Sequence, residues 1–159
     1  MKEDVIQSVR ARKVVAIIRG FAPDVCLKLA EAYAKGGIGL VEVTFNQKAP
    51  ETWKDTATAI AAIRDRFAGD VRVGAGTVLT AEQLTLCEQA GGEYMITPNV
   101  NVDLIRDCVR RGLVAMPGAL TPINTSASTS ISAKEPARRS GLITSAISSL
   151  TQLRFSRPL

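Results

Sequence analysis

The chain contains no histidine, and this absence removes several classes of catalytic site. Ser-His and Cys-His nucleophile pairs need an imidazole as their base, and many zinc sites need one as a ligand. Aromatic residues make up only 4% of the sequence, which disfavours base stacking along a nucleic-acid strand. No apolar run approaches the roughly 20 residues that a membrane span requires, and the N-terminal stretch lacks a signal-peptide core. We therefore expect neither a membrane nor a nucleic-acid partner.

Cysteine is also scarce, with three residues that lie far apart at Cys26, Cys87 and Cys108. Their odd number and wide spacing match neither a disulfide framework nor a set of metal ligands. This pattern predicts reduced thiols in a cytoplasmic protein and no cysteine metal site. We also expect no metal and no cofactor.

Charge is distributed unevenly along the chain, whose formal net charge is +5. Residues 1–122 carry 15 Lys and Arg against 14 Asp and Glu, whereas residues 123–159 carry 5 against 1. The basic character therefore belongs largely to the C-terminal part, and it gives only weak support for nucleic-acid binding.

Short apolar runs alternate with amphipathic stretches over the first two thirds of the chain. The runs predict strands, and the intervening apolar periodicity predicts helices. The predicted strands are 14–19, 40–45, 71–78, 94–98 and 114–117, and the predicted helices are 22–35, 50–67, 81–90 and 102–111. Strict alternation of this kind predicts a parallel α/β sheet with right-handed crossovers, either doubly wound or a (β/α)₈ barrel.

The pattern changes after Pro122. Residues 123–159 contain 13 Ser and Thr, a single Glu and no clear strand or helical face. We interpret residues 1–122 as a partial barrel domain of about five βα units, because a complete (β/α)₈ barrel takes about 250 residues. Residues 123–159 are expected to be an irregular Ser/Arg-rich tail, either disordered or out of frame after a frameshift.

Ligands of parallel sheets gather at the carboxyl ends of the strands, where polar side chains are concentrated in this sequence. Glu42 is a carboxylate in the middle of an otherwise apolar strand, and Thr44 shares its face because strand side chains alternate. A carboxylate in such a setting is costly unless it is paired, hydrogen-bonded or catalytic. The structural alternative is an ion pair with Arg19 or a nearby lysine.

Five motifs, in order and with matching spacing, resemble the bacterial 2-keto-3-deoxy-6-phosphogluconate (KDPG) and 4-hydroxy-2-oxoglutarate aldolases over about residues 5–122. They are VVAIIRG (14–20), LVEVTF (40–45), VGAGTVLT (73–80), ITPN (96–99) and MPGALTP (116–122). The resemblance implies a (β/α)₈ barrel, commonly a homotrimer. It also implies metal-independent class I aldol cleavage, in which a lysine forms a Schiff base with the ketone of a 2-keto acid such as pyruvate.

The resemblance also assigns roles to particular residues. Glu42 matches the family's proton-transferring carboxylate, and Thr77 aligns with a residue near the pyruvyl carboxylate. Pro98 aligns with a proline that lines the site. Arg19 is a candidate to bind a substrate carboxylate or phosphate, or to pair structurally with Glu42. Thr44 completes the candidate substrate-binding set.

Two departures from the family pattern leave questions open. Asn46 stands where relatives that prefer the phosphorylated sugar acid often have arginine, so the choice of keto acid and the need for phosphate stay open. Lys134 is a weak candidate for the Schiff-base lysine, because it falls early and lacks strand-like apolar flanks. Impaired activity is therefore expected. The alternatives are a non-catalytic barrel fragment, or a phosphosugar isomerase or epimerase that uses Glu42 as a base.

Overall fold

A computed structural model of the protein describes residues 2–118 and, as backbone only, residues 151–156. Strands and helices alternate along the described chain. The elements are α1 (Lys2–Arg12), β1 (Val14–Arg19), α2 (Pro23–Lys35), β2 (Leu40–Thr44), a 3₁₀ turn (Pro50–Thr52), α3 (Trp53–Phe67), β3 (Arg72–Gly76), α4 (Ala81–Gln89), β4 (Tyr94–Thr97), α5 (Val102–Arg110), β5 (Val114–Pro117) and β6 (Thr151–Ser156).

The first five strands and the helices between them lie where the sequence predicts them. β1 and β5 have the predicted bounds, and the other three strands lie within the predicted runs. The α-helix α3 begins at Trp53 because the predicted segment starts with a 3₁₀ turn that has Pro50 at its first position. Proline is common at the first position of a helix, because the N–H that it lacks would have no partner within the helix there.

Helix α1 was not predicted from the sequence. It carries Glu3 and Asp4 in its first turn and Arg10 and Arg12 in its last turn, which is the charge order that stabilises the helix dipole. Its buried residues include Val5 and Val9, one turn apart. None of the helices in residues 2–118 is long and apolar enough to span a bilayer.

The strands form one parallel sheet in the order β5-β4-β3-β2-β1-β6. β6 therefore lies beside β1, where the last strand of a closed (β/α)₈ barrel would pair. The expectation of an irregular tail does not hold for residues 151–156, whose backbone forms a strand. Polar and apolar residues alternate from Gln152 to Ser156, as they do in strands. The pairing of β6 with β1 satisfies backbone N–H and C=O groups that β1 would expose if it were an edge strand. The rest of the predicted tail lies outside the described residues.

The sheet has two apolar faces with different partners. One face packs against the connecting helices, and Ile18, Val43, Val73, Met95 and Ala115 represent it in the first five strands. The opposite, inner face packs against α1, whose Val5, Ile6 and Val9 cover Val15, Leu40, Tyr94 and Val114. These four strand residues stand near the amino ends of their strands. Helix α1 thus closes the amino end of the partial barrel and leaves the carboxyl ends open.

Candidate active site

Polar residues follow the apolar layer on the inner face, toward the carboxyl ends of the first three strands. Leu40 lies in the layer that α1 covers, and alternation puts Glu42 and Thr44 on the same face of β2. The β2–β3 register pairs Glu42 with Gly74 and Thr44 with Gly76. The inner face of β3 therefore has no side chain beyond the α-carbon at the level of Glu42 and Thr44.

Glu42 is buried, with 3% of its surface exposed. Its carboxyl group occupies the space beside Gly76, where an added Cβ would collide with Oε1, Cδ and Cγ of Glu42. Gly76 is needed here because of this close approach. The structure thus places Glu42 on the inner face of the sheet, next to the carboxyl end of β3.

Tyr94 lies on the amino-end side of the Glu42 carboxyl group on the inner face. Its ring fills the space beside Gly74, and its hydroxyl donates to the Val41 carbonyl at 2.6 Å. Complete burial raises the pKa of Tyr94 well above its usual value, and the negative charges of Glu42 and Glu93 raise it further. Tyr94 is therefore a neutral hydrogen-bond donor rather than a base. No role was predicted for Tyr94 from its sequence context, although the side-chain-free positions of the GAG segment on β3 leave room for a large neighbouring side chain.

Arg19, Thr44 and Thr77 form a polar group, the Arg19 cluster, at the carboxyl ends of β1, β2 and β3. The Arg19 Nε donates to Thr44 Oγ1 and its Nη2 donates to Thr77 Oγ1, both at 3.2 Å. The Thr44 hydroxyl in turn donates to the Ile18 carbonyl at 3.3 Å. Because a guanidinium has five N–H donors, these two bonds fix its orientation and leave other donors available at the exposed rim.

Thr77 has a left-handed backbone with φ of 55°. This conformation is unfavourable for a β-branched residue, and such strain occurs often at functional sites. The structure brings three of the predicted substrate-binding residues together in the Arg19 cluster. Their proximity to Glu42 follows from the shared face of Glu42 and Thr44 on β2.

Two other predicted site residues are not part of this group. Pro98 lies just beyond β4, where its carbonyl approaches Gly118 at the carboxyl end of β5. It stands on the same rim of the sheet as the Arg19 cluster, but no described hydrogen bond joins the two, and its role as a lining residue stays a prediction. Lys134 lies outside the described residues.

A cavity of about 300 Å³ opens beside Thr44, between the ends of β1 and β2 and the helices α2 and α3. Its lining includes Phe21, Asn46 and Asp55 but not Glu42. The cavity therefore adjoins the Arg19 cluster from the helix side of the sheet, whereas the carboxylate faces the inner side.

The order of these features along the chain agrees with a known family. A family model described as KDPG and KHG aldolase matches residues 5–156. The chain belongs to the KDPG and KHG aldolase family. The match extends beyond residues 5–122, which carry the motifs recognisable in the sequence, and it includes β6.

Curated relatives give the same result. The chain is 32% identical over 121 residues to a 2-dehydro-3-deoxy-phosphogluconate aldolase of Haemophilus influenzae, an alignment that covers 76% of this chain and 54% of the relative. It is 34% identical over 108 residues to a 2-dehydro-3-deoxy-6-phosphogalactonate aldolase of Escherichia coli, which covers 68% of this chain and 50% of the relative. The chain thus spans about half the length of these relatives.

Solved aldolases have the same fold. A KDPG aldolase from Legionella pneumophila, captured with pyruvate as a covalent carbinolamine intermediate, superposes with a TM-score of 0.66 at 26% identity. The superposition covers 76% of this chain and 55% of that structure. The parallel α/β sheet described above is therefore the sheet of this family's barrel, present here in part.

Proposed function

We propose that this chain is a class I aldolase that cleaves a 2-keto-3-deoxy sugar acid, or 4-hydroxy-2-oxoglutarate, to pyruvate and an aldehyde. The observation that carries the proposal is the buried Glu42 carboxyl group on the same strand face as Thr44 of the Arg19 cluster. An acid–base group and a cationic group that can bind the carboxylate of a 2-keto acid then share the carboxyl-end region of the sheet, linked through Thr44.

The chemistry divides between an amine and Glu42. The amine adds to the C2 ketone of the substrate and loses water to form an iminium ion, which accepts the electron pair when the C3–C4 bond breaks. Glu42 as carboxylate takes the proton from the C4 hydroxyl, which becomes the aldehyde carbonyl. The protonated Glu42 then returns this proton to C3 of the enamine, and hydrolysis releases pyruvate.

The amine has the least favourable sequence context of the proposed catalytic groups. Lys134 is the only lysine in residues 119–159, and its ISAKEPA context lacks the apolar flanks that would desolvate an amine and favour its neutral form. We propose Lys134 as the nucleophile only as a weak candidate on this ground, and we expect slow turnover for the same reason.

We propose the class of the substrate, a 2-keto acid, and not an individual compound. The two curated relatives named above are aldolases of a phosphogluconate and of a phosphogalactonate derivative, which differ in sugar configuration. Asn46 is exposed beyond the end of β2 and adds no positive charge for a phosphate. Comparison of the rates with phosphorylated and unphosphorylated 2-keto acids decides whether the substrate carries a phosphate.

We further propose a homotrimer in the cytoplasm. The trimer is supported by the family resemblance. The cytoplasm is supported by the three cysteines, which are all buried and unpaired, as in proteins from a reducing compartment. Light scattering after gel filtration tests the trimer, which should have three times the mass of the single chain.

Exchange of the pyruvate methyl protons in D₂O, followed by NMR, tests the proposed function without knowledge of the aldehyde. Exchange requires both the Schiff base and an acid–base group, so we expect slow exchange with the unaltered chain. Glu42→Gln should reduce the rate by roughly 10²–10⁴-fold, whereas Glu51→Gln, on the exposed 3₁₀ turn, should leave it unchanged. Exchange that is absent, or that does not depend on Glu42, would overturn the proposal.

A further inference from the structure

A chain of two side-chain amides supports the backbone of Thr77. The Gln47 Nε2 donates to the Thr77 carbonyl at 2.7 Å. The Gln47 Oε1 accepts from Gln83 Nε2 at 2.9 Å. Both glutamines lie outside the set of residues that the resemblance assigns to the site.

The far end of this chain is anchored in helix α4. Gln83 is fully buried, and its Oε1 accepts from the backbone N–H groups of Leu79 at 2.7 Å and Thr80 at 3.2 Å. Its backbone N–H donates to the Thr80 hydroxyl, which completes a capping box at the start of α4. Because the Gln83 oxygen already accepts two N–H groups, its NH₂ group must face Gln47.

The Thr77 conformation gives this support a function. Its φ of 55° is costly for a β-branched residue and persists only when the surrounding structure determines it. The same conformation directs the Thr77 hydroxyl toward Arg19, whose Nη2 donates to it. A weaker hold on the Thr77 carbonyl would therefore disturb both Thr77 and Arg19.

We propose that Gln47 and Gln83 are positioning residues that hold Thr77 in its left-handed conformation and thereby orient the Arg19 cluster for the carboxylate of a 2-keto acid. Neither glutamine contacts the ligand, and both act through Thr77. The ligand assignment rests on the proposed function above, whereas the geometry of Thr77 does not.

Gln47→Glu is the most direct test. The carboxylate has nearly the same shape and still accepts from Gln83, but it cannot donate to the Thr77 carbonyl at neutral pH. Because Gln47 is only half-buried in a loop, we expect this variant to fold. Gln83→Glu is the second variant, since it keeps the acceptor for Leu79 and Thr80 and loses only the donor to Gln47. Gln89→Glu, at an exposed position of the same helix, is the matched control for the added charge.

Two NMR measurements are made on the full-length chain of each variant. The first is the intraresidue amide-to-α-proton contact of Thr77, which is strong when φ is positive and which a general loss of stability in a folded variant would not change. The second is the pyruvate dissociation constant, from titration of the Arg19 and Thr77 signals. We expect Gln47→Glu to weaken the left-handed signature and to raise the dissociation constant roughly tenfold, the loss of one hydrogen bond of typical strength. Gln83→Glu should change both in the same direction, and Gln89→Glu should change neither.

The possible failures are distinguishable. An unaltered chain that binds no pyruvate contradicts the proposed function and, with it, the role assigned to the two glutamines. An unaltered chain that binds pyruvate, with unchanged affinity and unchanged Thr77 geometry in Gln47→Glu, contradicts only the inference about Gln47 and Gln83.

Discussion

The carboxyl group of Glu42 lies against the α-carbon of Gly76 on the neighbouring strand, in space that any side chain on Gly76 would fill. The two residues come from different motifs, LVEVTF and VGAGTVLT, and are 34 positions apart in the sequence. Their contact explains why a glycine ends β3 at a level where the inner face is otherwise lined by side chains. The contact also makes the position of the Glu42 carboxylate depend on Gly76, which has no functional group in its side chain.

Gly76→Ala should displace Glu42 and reduce activity. The new methyl group overlaps the carboxyl atoms, so either the carboxylate or the strand must shift, at a cost of about 1–3 kcal/mol in the free energy of unfolding. Pyruvate proton exchange and urea denaturation measure the two effects. The control is Gly36→Ala, where the added Cβ would meet the Tyr33 carbonyl at 3.4 Å, an ordinary contact. Unchanged exchange in Gly76→Ala would show that the observed position of Glu42 is not needed.

Arg19→Lys should weaken the binding of 2-keto acids roughly tenfold. A lysine ammonium keeps the charge but cannot donate to Thr44 and Thr77 with a planar fork and still present parallel donors to a carboxylate. Titration with pyruvate measures the dissociation constant, and Arg10→Lys on the exposed face of α1 controls for the substitution itself. Equal affinity in both variants would show that Arg19 binds no substrate carboxylate.

Alkaline pH should destabilise the protein through its buried thiols. Burial raises the pKa of Cys26 to about 11 and that of Cys87 to about 12, and it also raises the pKa of Cys108. The folded state therefore holds these protons more tightly than the unfolded chain, whose thiols titrate near 9.0.

The free energy of unfolding should therefore fall as the pH rises from about 9 to about 12, since each unit of pKa difference is worth about 1.36 kcal/mol per thiol. Urea denaturation across this range measures the effect, with the value at pH 7 as the reference. Iodoacetamide should label the thiols only in urea. Rapid labelling of the folded protein at pH 8.5 would contradict the assigned burial.

The first five strands could be predicted because strand periodicity is a local property of the sequence. The runs at Val14–Arg19 and Val114–Pro117 have the predicted bounds, and the alternation in β2 correctly separates Glu42 and Thr44 from Val41 and Val43. The clustering of Arg19 with two threonines also follows from a general rule, because the carboxyl ends of neighbouring parallel strands meet at one edge.

Other features depend on contacts that a linear pattern does not show. Helix α1 has only Val5, Ile6 and Val9 buried, too few apolar positions to stand out without the inner face that they cover. The hydrogen bond between Gln83 and Gln47 joins residues 36 positions apart. The pairing of β6 with β1 depends on the open edge of the sheet, which composition alone does not reveal.

Incubation of the full chain with pyruvate and borohydride, followed by intact mass and peptide mapping, tests the central proposal most directly. Borohydride reduces the Schiff base to a stable amine, so a class I aldolase gains one reduced pyruvyl group, which we expect on Lys134. An isomerase or epimerase that uses Glu42 as a base forms no such adduct. A folded chain that binds pyruvate and gains no mass would contradict the Schiff-base mechanism, leaving a non-catalytic family member or an isomerase-like use of Glu42 as the remaining explanations.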